Sequence, residues 1–364
     1  MKTRIKKLDG LRGIFSLMVV LYHYNSEYDA FNITTNFFVS WSNLFVDFFF
    51  VLSGLVISLN YYDKIIDLAA FKEYLIKRFI RLYPLLLFTV LTFFVFKIVG
   101  NYFFNRMLQE GVTKFSNLIL STFDPLLFTN STPLLGSGSG MNTPTWSISS
   151  EMISYIVFGI IAVSSRNRTL LSIVLFILCI FFLVNTNQFI YVGDYGFIRG
   201  LAGFISGFFV YIFSKKNLKL NNGVELLLPI GLVLLFYTIE QNTTYRQLYL
   251  IATIPSFFSL ILLVLLKTNG LLSKLLMSKI CQFLGKISYS IYLTHFLILK
   301  IMPLFFFKFL KINQTTLNCF VVFILTIVFV VCYSTATYFL IEVKGKYYLR
   351  RKIISYGLLS SKKI

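Results

Sequence analysis

Residues 41–59 read WSNLFVDFFFVLSGLVISL, a run in which Asp47 is the single ionisable side chain. An apolar segment of this length crosses a hydrocarbon layer of about 30 Å as a helix. Just upstream, residues 13–24 read GIFSLMVVLYHY, another apolar run, which carries His23. His295, the other of the chain's two histidines, also lies in an apolar stretch. A titratable group in hydrocarbon costs several kcal/mol unless it has a partner or a water-filled cavity. An imidazole and a carboxylate on consecutive membrane helices therefore call for a reason, and proton chemistry is the most economical one.

The whole chain repeats this pattern. Of 364 residues, 57% are hydrophobic and 18% aromatic, only 13% are charged, and the mean hydropathy is +0.78. These values exclude a soluble domain of ordinary make-up. The net charge of +20 does not point to nucleic acid, because the basic residues form no patch with interleaved aromatics. They punctuate segments of membrane-spanning length instead. Cys179, Cys281, Cys319 and Cys332 show no CxxC spacing, so neither a disulfide framework nor a zinc site is expected. The start, MKTRIKK, is followed by no small-residue cleavage signal and reads as the flank of a retained first span.

About ten spans are predicted, centred near residues 11–29, 37–59, 82–99, 146–164, 169–185, 197–213, 223–240, 247–266, 283–307 and 318–340. Placing both termini in the cytoplasm puts most of the 34 lysines and arginines on inner segments, as the positive-inside rule demands. The expected fold is an all-α polytopic membrane bundle. Residues 1–345 form its integral domain and 346–364 a short basic cytoplasmic tail. The semi-polar segment 115–128, with Asp124 and Pro125, reads as interfacial or re-entrant. The long outer segment 101–145 contains GSGSG at 136–140, either a substrate-admitting loop or a plain connector. No internal repeat is evident.

Depth follows from a rise of 1.5 Å per residue. His23 falls roughly 20 Å from the inner face, His295 roughly 18 Å from it, and Asp47 roughly 15 Å from the outer one. Asp47 is thus expected to partner His23, fixing its tautomer and raising the basicity of the other ring nitrogen, which suits a general base acting on a hydroxyl. His295 either joins this chemistry or bonds a helix carbonyl. Glu151 is either a second acid or base, or a capping carboxylate in the first turn of its helix. Arg12 lies about three turns before His23 on nearly the same face, at the inner mouth. Arg78 and Arg81 share a helical face and match phosphate oxygens geometrically, whereas Lys77 reads as an ordinary loop charge. Ser53-Gly54 allows close helix approach. Trp41 and Trp146 fall at outer helix ends, where an aromatic belt explains them. Asp194 and Arg199 are expected to pair.

In order along the chain, LDGLRGIFSLMVVLYHY, VDFFFVLSGLVIS, KRFIRLYP, TPTWSISSEMISY and GKISYSIYLTHF together resemble the family-3 membrane acyltransferases, which acylate bacterial surface carbohydrates. The five segments spread from residue 8 to 296. The resemblance implies an enzyme of the bacterial cytoplasmic membrane. It would take an acyl group, usually acetyl, from cytoplasmic acyl-CoA and deliver it to a hydroxyl of O-antigen, capsule or exopolysaccharide. By that likeness His23 is the catalytic histidine with Asp47 its partner, and Arg12, Arg78 and Arg81 lie near the coenzyme. Trp146, Ser147, Glu151, Tyr292 and His295 belong to the acceptor side, with Glu151 also in the catalytic group. Thr294 departs from the family, which often has an aromatic there. No fused extracellular hydrolase-like domain of the sort some relatives carry is expected after the last span, so the expectation is that a separate extracytoplasmic partner supplies that step or that none is needed. Acetyl-CoA is the expected donor, with no metal; carbohydrate and lipid are the expected partners, not nucleic acid. The rival expectation is a proton-coupled transporter or flippase with His23, Asp47 and Glu151 as a proton relay.

Overall fold

The structure, a computed structural model, describes residues 5–103, 115–135, 140–164, 167–190 and 192–358. Its helices are α1 (Lys6–Tyr22), α2 (Phe37–Ser40), α3 (Phe45–Tyr61), α4 (Leu68–Phe103), α5 (Phe115–Leu126), α6 (Thr145–Ser164), α7 (Arg168–Thr186), α8 (Gly196–Ser214), α9 (Leu227–Gln241), α10 (Arg246–Lys267), α11 (Leu271–Leu276), α12 (Lys279–Pro303), α13 (Thr316–Thr337) and α14 (Lys344–Ser355). Among the described residues there is no strand.

Among the described residues, nine helical stretches are long and apolar enough to cross a membrane. With no water in hydrocarbon to satisfy the backbone, helices that bond internally are the form such segments take. The tenth expected span is α1, whose 17 residues extend only about 25 Å. Helix α5 is too short to cross, as its re-entrant reading requires. Residues 136–139, most of the GSGSG tract, lie outside the described residues, as does most of the outer segment before Phe115. The segment expected as a basic tail is helical over much of its length. Residues 344–355 continue the last span as a helix that folds against α4.

Backbones approach closely where glycines meet. A side chain at Gly13 would overlap the backbone of Gly285, which lets α1 lie along α12. Gly54 sits against the Phe204 carbonyl and Gly207 against that of Val51, so α3 and α8 are packed as tightly. Small residues perform this role inside bilayers because lipid removes the hydrophobic drive between helices. Cross-contacts give the directions. Arg12 meets Ser288 and His23 meets His295, so α1 and α12 run parallel. Asp47 meets Arg199 and Gly54 meets Phe204, so α3 and α8 also run parallel. Between these two pairs, α6 reaches α12 through Ser147 and Tyr292, and reaches α3 through Glu151 and Ser53.

Candidate active site

The two histidines meet across the α1–α12 contact. His23 is the residue at which α1 ends, not one buried in mid-helix as its expected span implied. Its Nδ1 lies 3.1 Å from Nε2 of the fully buried His295 and 3.0 Å from the Val19 carbonyl. His295 Nδ1 lies 3.0 Å from the Ile291 carbonyl. A carbonyl only accepts, so a neutral His295 donates from Nδ1 and leaves the Nε2 lone pair to accept. His23 then donates from Nδ1, shared between that lone pair and Val19, and its own Nε2 carries a free lone pair. Beside this face are Tyr22 and Phe296, with ring centroids 4.9 and 5.5 Å from the His23 ring.

Asp47 does not partner His23. Both its oxygens accept from Arg199, from Nε at 2.8 Å and Nη2 at 2.5 Å, and the two side chains are 1% and 2% exposed. This planar fork on a carboxylate is the geometry arginine is built for. It also overturns the expected Asp194–Arg199 pair. Matching depth brought Asp47 to the level of His23, but α3 turns its carboxylate towards α8 because Gly54 and Gly207 clamp those helices together.

Trp146 does not lie in a lipid-facing belt. It is buried, packs edge-on against Phe50, and has the Arg199 guanidinium 5.5 Å from its ring centroid. Phe189 covers the same guanidinium from 4.7 Å. Trp41 is likewise buried and donates from Nε1 to Glu240 at 2.6 Å. One residue after Trp146, Ser147 Oγ lies 2.8 Å from the Tyr292 hydroxyl. Tyr292 stands between the two helix pairs. Its ring centroid is 6.1 Å from that of His295, and Arg199, Glu151 and Asp47 are in electrostatic reach of its hydroxyl.

Glu151 is not a helix cap. It lies in the second turn of α6 and accepts from Ser53 Oγ at 2.8 Å and from the Tyr155 hydroxyl. Ser53 therefore does more than permit close approach. Towards the end of the bundle where α1 begins, basic groups accumulate. Arg12 donates from Nε to Ser288 Oγ and from Nη2 to the Gly285 carbonyl, both at 2.7 Å. Arg78 donates to the Tyr61 hydroxyl at 2.9 Å and lies over the Tyr61 ring at 5.0 Å, while its buried Nε has no partner. Arg81 stands in the field of Arg12, Glu151 and Glu342. Lys77 pairs with Glu73 on its own helix, an ordinary surface pair.

The structure thus links His23, His295, Tyr292 and Ser147 through successive contacts, with Trp146 and Glu151 on the same helix as Ser147, and groups Arg12, Arg78 and Arg81 nearer the start of α1. It sets Asp47 to one side, bound to Arg199. Among the described residues no cluster of three or more metal-ligating side chains occurs. Sequence reasoning gave Arg199 the wrong partner and missed Glu342. Arg199 is the one charged side chain of α8, a signal as strong as that of Asp47. Glu342 accepts from Ser290 Oγ at 3.1 Å and lies in a π-helical stretch, Tyr338–Val343, a distortion that often marks functional positions. Its own signal was a lone carboxylate closing the last apolar run.

No curated protein and no solved structure matches the chain. A family model, Acyl_transf_3, described as an acyltransferase domain, matches residues 5–337. That match spans most of the 364 residues and contains every side chain placed above except Glu342. The protein is therefore a multi-pass membrane member of acyltransferase family 3.

Proposed function

We propose that the protein transfers an acyl group, acetyl by the family's habit, from cytoplasmic acyl-CoA to a hydroxyl of a cell-surface carbohydrate, within the cytoplasmic membrane of a bacterium. The observation that carries this reading is the bond from His23 Nδ1 to His295 Nε2, which leaves His23 Nε2 as a free base at the end of α1. In the proposed step, His23 Nε2 removes the acceptor hydroxyl proton as that oxygen attacks the thioester carbonyl. The carbon–sulfur bond breaks, and the same proton passes to the departing thiolate, giving the ester and free coenzyme A. Carbonyl oxygens at the C-terminus of α1 face the transient imidazolium, the favourable end of the helix dipole for a cation. His295, not Asp47, acts as the orienting partner.

The arginines fit the donor. Arg12, Arg78 and Arg81 lie at the end opposite His23, where the coenzyme's phosphates would leave its thioester arm directed along α12. A carbohydrate hydroxyl would approach beside Tyr292, Ser147 and Trp146. The transporter reading loses support, because its relay needs Asp47 in line with His23 and Glu151, and Asp47 is held by Arg199.

The test is acetyl transfer from labelled acetyl-CoA by membranes carrying the wild type, His23→Ala or His295→Ala, with the surface glycans of a deletion strain as acceptor. Loss of label in both variants, with expression unchanged, is the expected result. Full transfer by His23→Ala would overturn the assignment.

A further inference from the structure

Helix α14 enters the arginine cluster through a single bare backbone position. A Cβ at Gly345 would lie 2.8 Å from Cβ of Pro84, so only glycine lets α14 come this near to α4. Pro84 follows Arg81 by three residues, and Lys346 follows Gly345 directly. The contact therefore sets Lys346 beside the arginines of α4. The ammonium of Lys346 interacts with Arg81, Arg78 and Arg350, with Glu342 as the carboxylate in the group. Arg350 is one turn beyond Lys346 on the same face. Lys346 is exposed and Arg350 half-buried, so both are accessible to a ligand.

Like charges held together by helix packing repel one another unless an anion joins them. Here four cations from two helices come together, with Glu342 among them and Glu151 also in the field of Arg81. Arginine and lysine on a shared face bind phosphate as a fork and a point charge respectively. We infer that α14 is part of the donor site, with Lys346 and Arg350 binding the phosphates of the acyl-CoA together with Arg78 and Arg81. This rests on the reading of acyl-CoA as donor. Phospholipid headgroups present the same phosphate chemistry, so the test must separate the two sources.

Full-length protein is placed in nanodiscs of phosphatidylcholine alone or with phosphatidylglycerol. Binding of acetyl-CoA is compared with that of S-acetyl-pantetheine, which has the thioester but no phosphate. The Lys346→Gln/Arg350→Gln protein is expected to bind acetyl-CoA about tenfold more weakly in both lipids, the size of a lost charge-assisted contact. Its affinity for S-acetyl-pantetheine stays within about twofold, and its acetyl-CoA affinity falls less with added salt. Gly345→Ala, which pushes α14 from Pro84, gives the same selective loss, and Lys346→Arg/Arg350→Lys restores most of it. Equal weakening of both thioesters, unchanged acetyl-CoA binding, or an effect confined to phosphatidylglycerol discs would each overturn the inference. A wild type that binds S-acetyl-pantetheine yet gains nothing from the phosphates of acetyl-CoA fails the donor reading itself, and that result is seen before any variant is compared.

Discussion

The α1–α12 contact and the α3–α8 contact are built alike and do opposite things. Each is a parallel helix pair closed by facing small residues, and each buries titratable side chains. Between α1 and α12 two neutral rings share one proton, and one ring keeps an accessible face. Between α3 and α8 a carboxylate and a guanidinium satisfy each other through two hydrogen bonds and are sealed by Trp146 and Phe189. The first arrangement can exchange a proton at little structural expense. The second cannot lose or gain charge without leaving an ion stranded in hydrocarbon. Buried ionisable groups in a membrane protein are thus not all reactive, and the number of bonds each already makes separates the two kinds.

The sharpest way to break this comparison is Arg199→Met. Removing one partner of a buried pair strands the other, and the expected loss is about 3–5 kcal/mol of stability. Thermal unfolding in detergent measures it. The double change Asp47→Leu/Arg199→Met should recover most of that loss, since an apolar pair of similar volume needs no ionic partner. A double variant no more stable than the single would mean that the pair does more than neutralise itself.

His23→Ala should do the reverse. Transfer is expected to fall by about 10²–10⁴-fold, the usual share of a general base, with the melting temperature nearly unchanged. Equal losses of stability in the two variants would erase the distinction between the contacts. A smaller effect is expected from His295→Gln, whose amide oxygen can still accept from His23 Nδ1. Activity should then drop by roughly tenfold, whereas His295→Phe, which has no acceptor, should approach the His23→Ala level. The two rates together measure how far orientation of His23 matters. The smallest effect belongs to Ser147→Ala, which removes one hydrogen bond from Tyr292 and should cost about 1 kcal/mol of stability. A change in the Michaelis constant for the acceptor alone, with that for acetyl-CoA untouched, would place Ser147 on the carbohydrate side.

Much of the molecule was readable from apolar run length. Nine of the expected spans lie where their hydropathy put them, because backbone groups in hydrocarbon leave little choice but a helix. The reactive positions were legible for a related reason. His23, Glu151 and His295 stand out as ionisable groups where ionisation is expensive, and Arg78 with Arg81 as a pair on one face. What failed was the pairing. His23 and Asp47 were matched by distance from the two faces, yet depth fixes one coordinate of three. Which way each side chain turns about its helix axis, and which helix stands there to receive it, are not periodic properties of a single segment. Arg199 was given the wrong partner, Asp194, for the same reason, and Glu342 was overlooked because it looked like an isolated charge until Ser290 stood beside it. The last helix was misjudged because basic composition says how polar a segment is and not what it lies against.

By itself, then, the order of residues determined that the chain spans a membrane and which few side chains carry charge inside. Both follow from one-dimensional rules, the length of an apolar run and the energy of an ion in oil. Only the tertiary structure decided that the histidines meet each other, that Asp47 belongs to Arg199, and that α14 closes over the arginines. Those choices are made by glycines fitting against distant segments, backbone to backbone at Gly13, Gly54 and Gly207 and against the Pro84 ring at Gly345, and such a fit exists only once the helices are side by side.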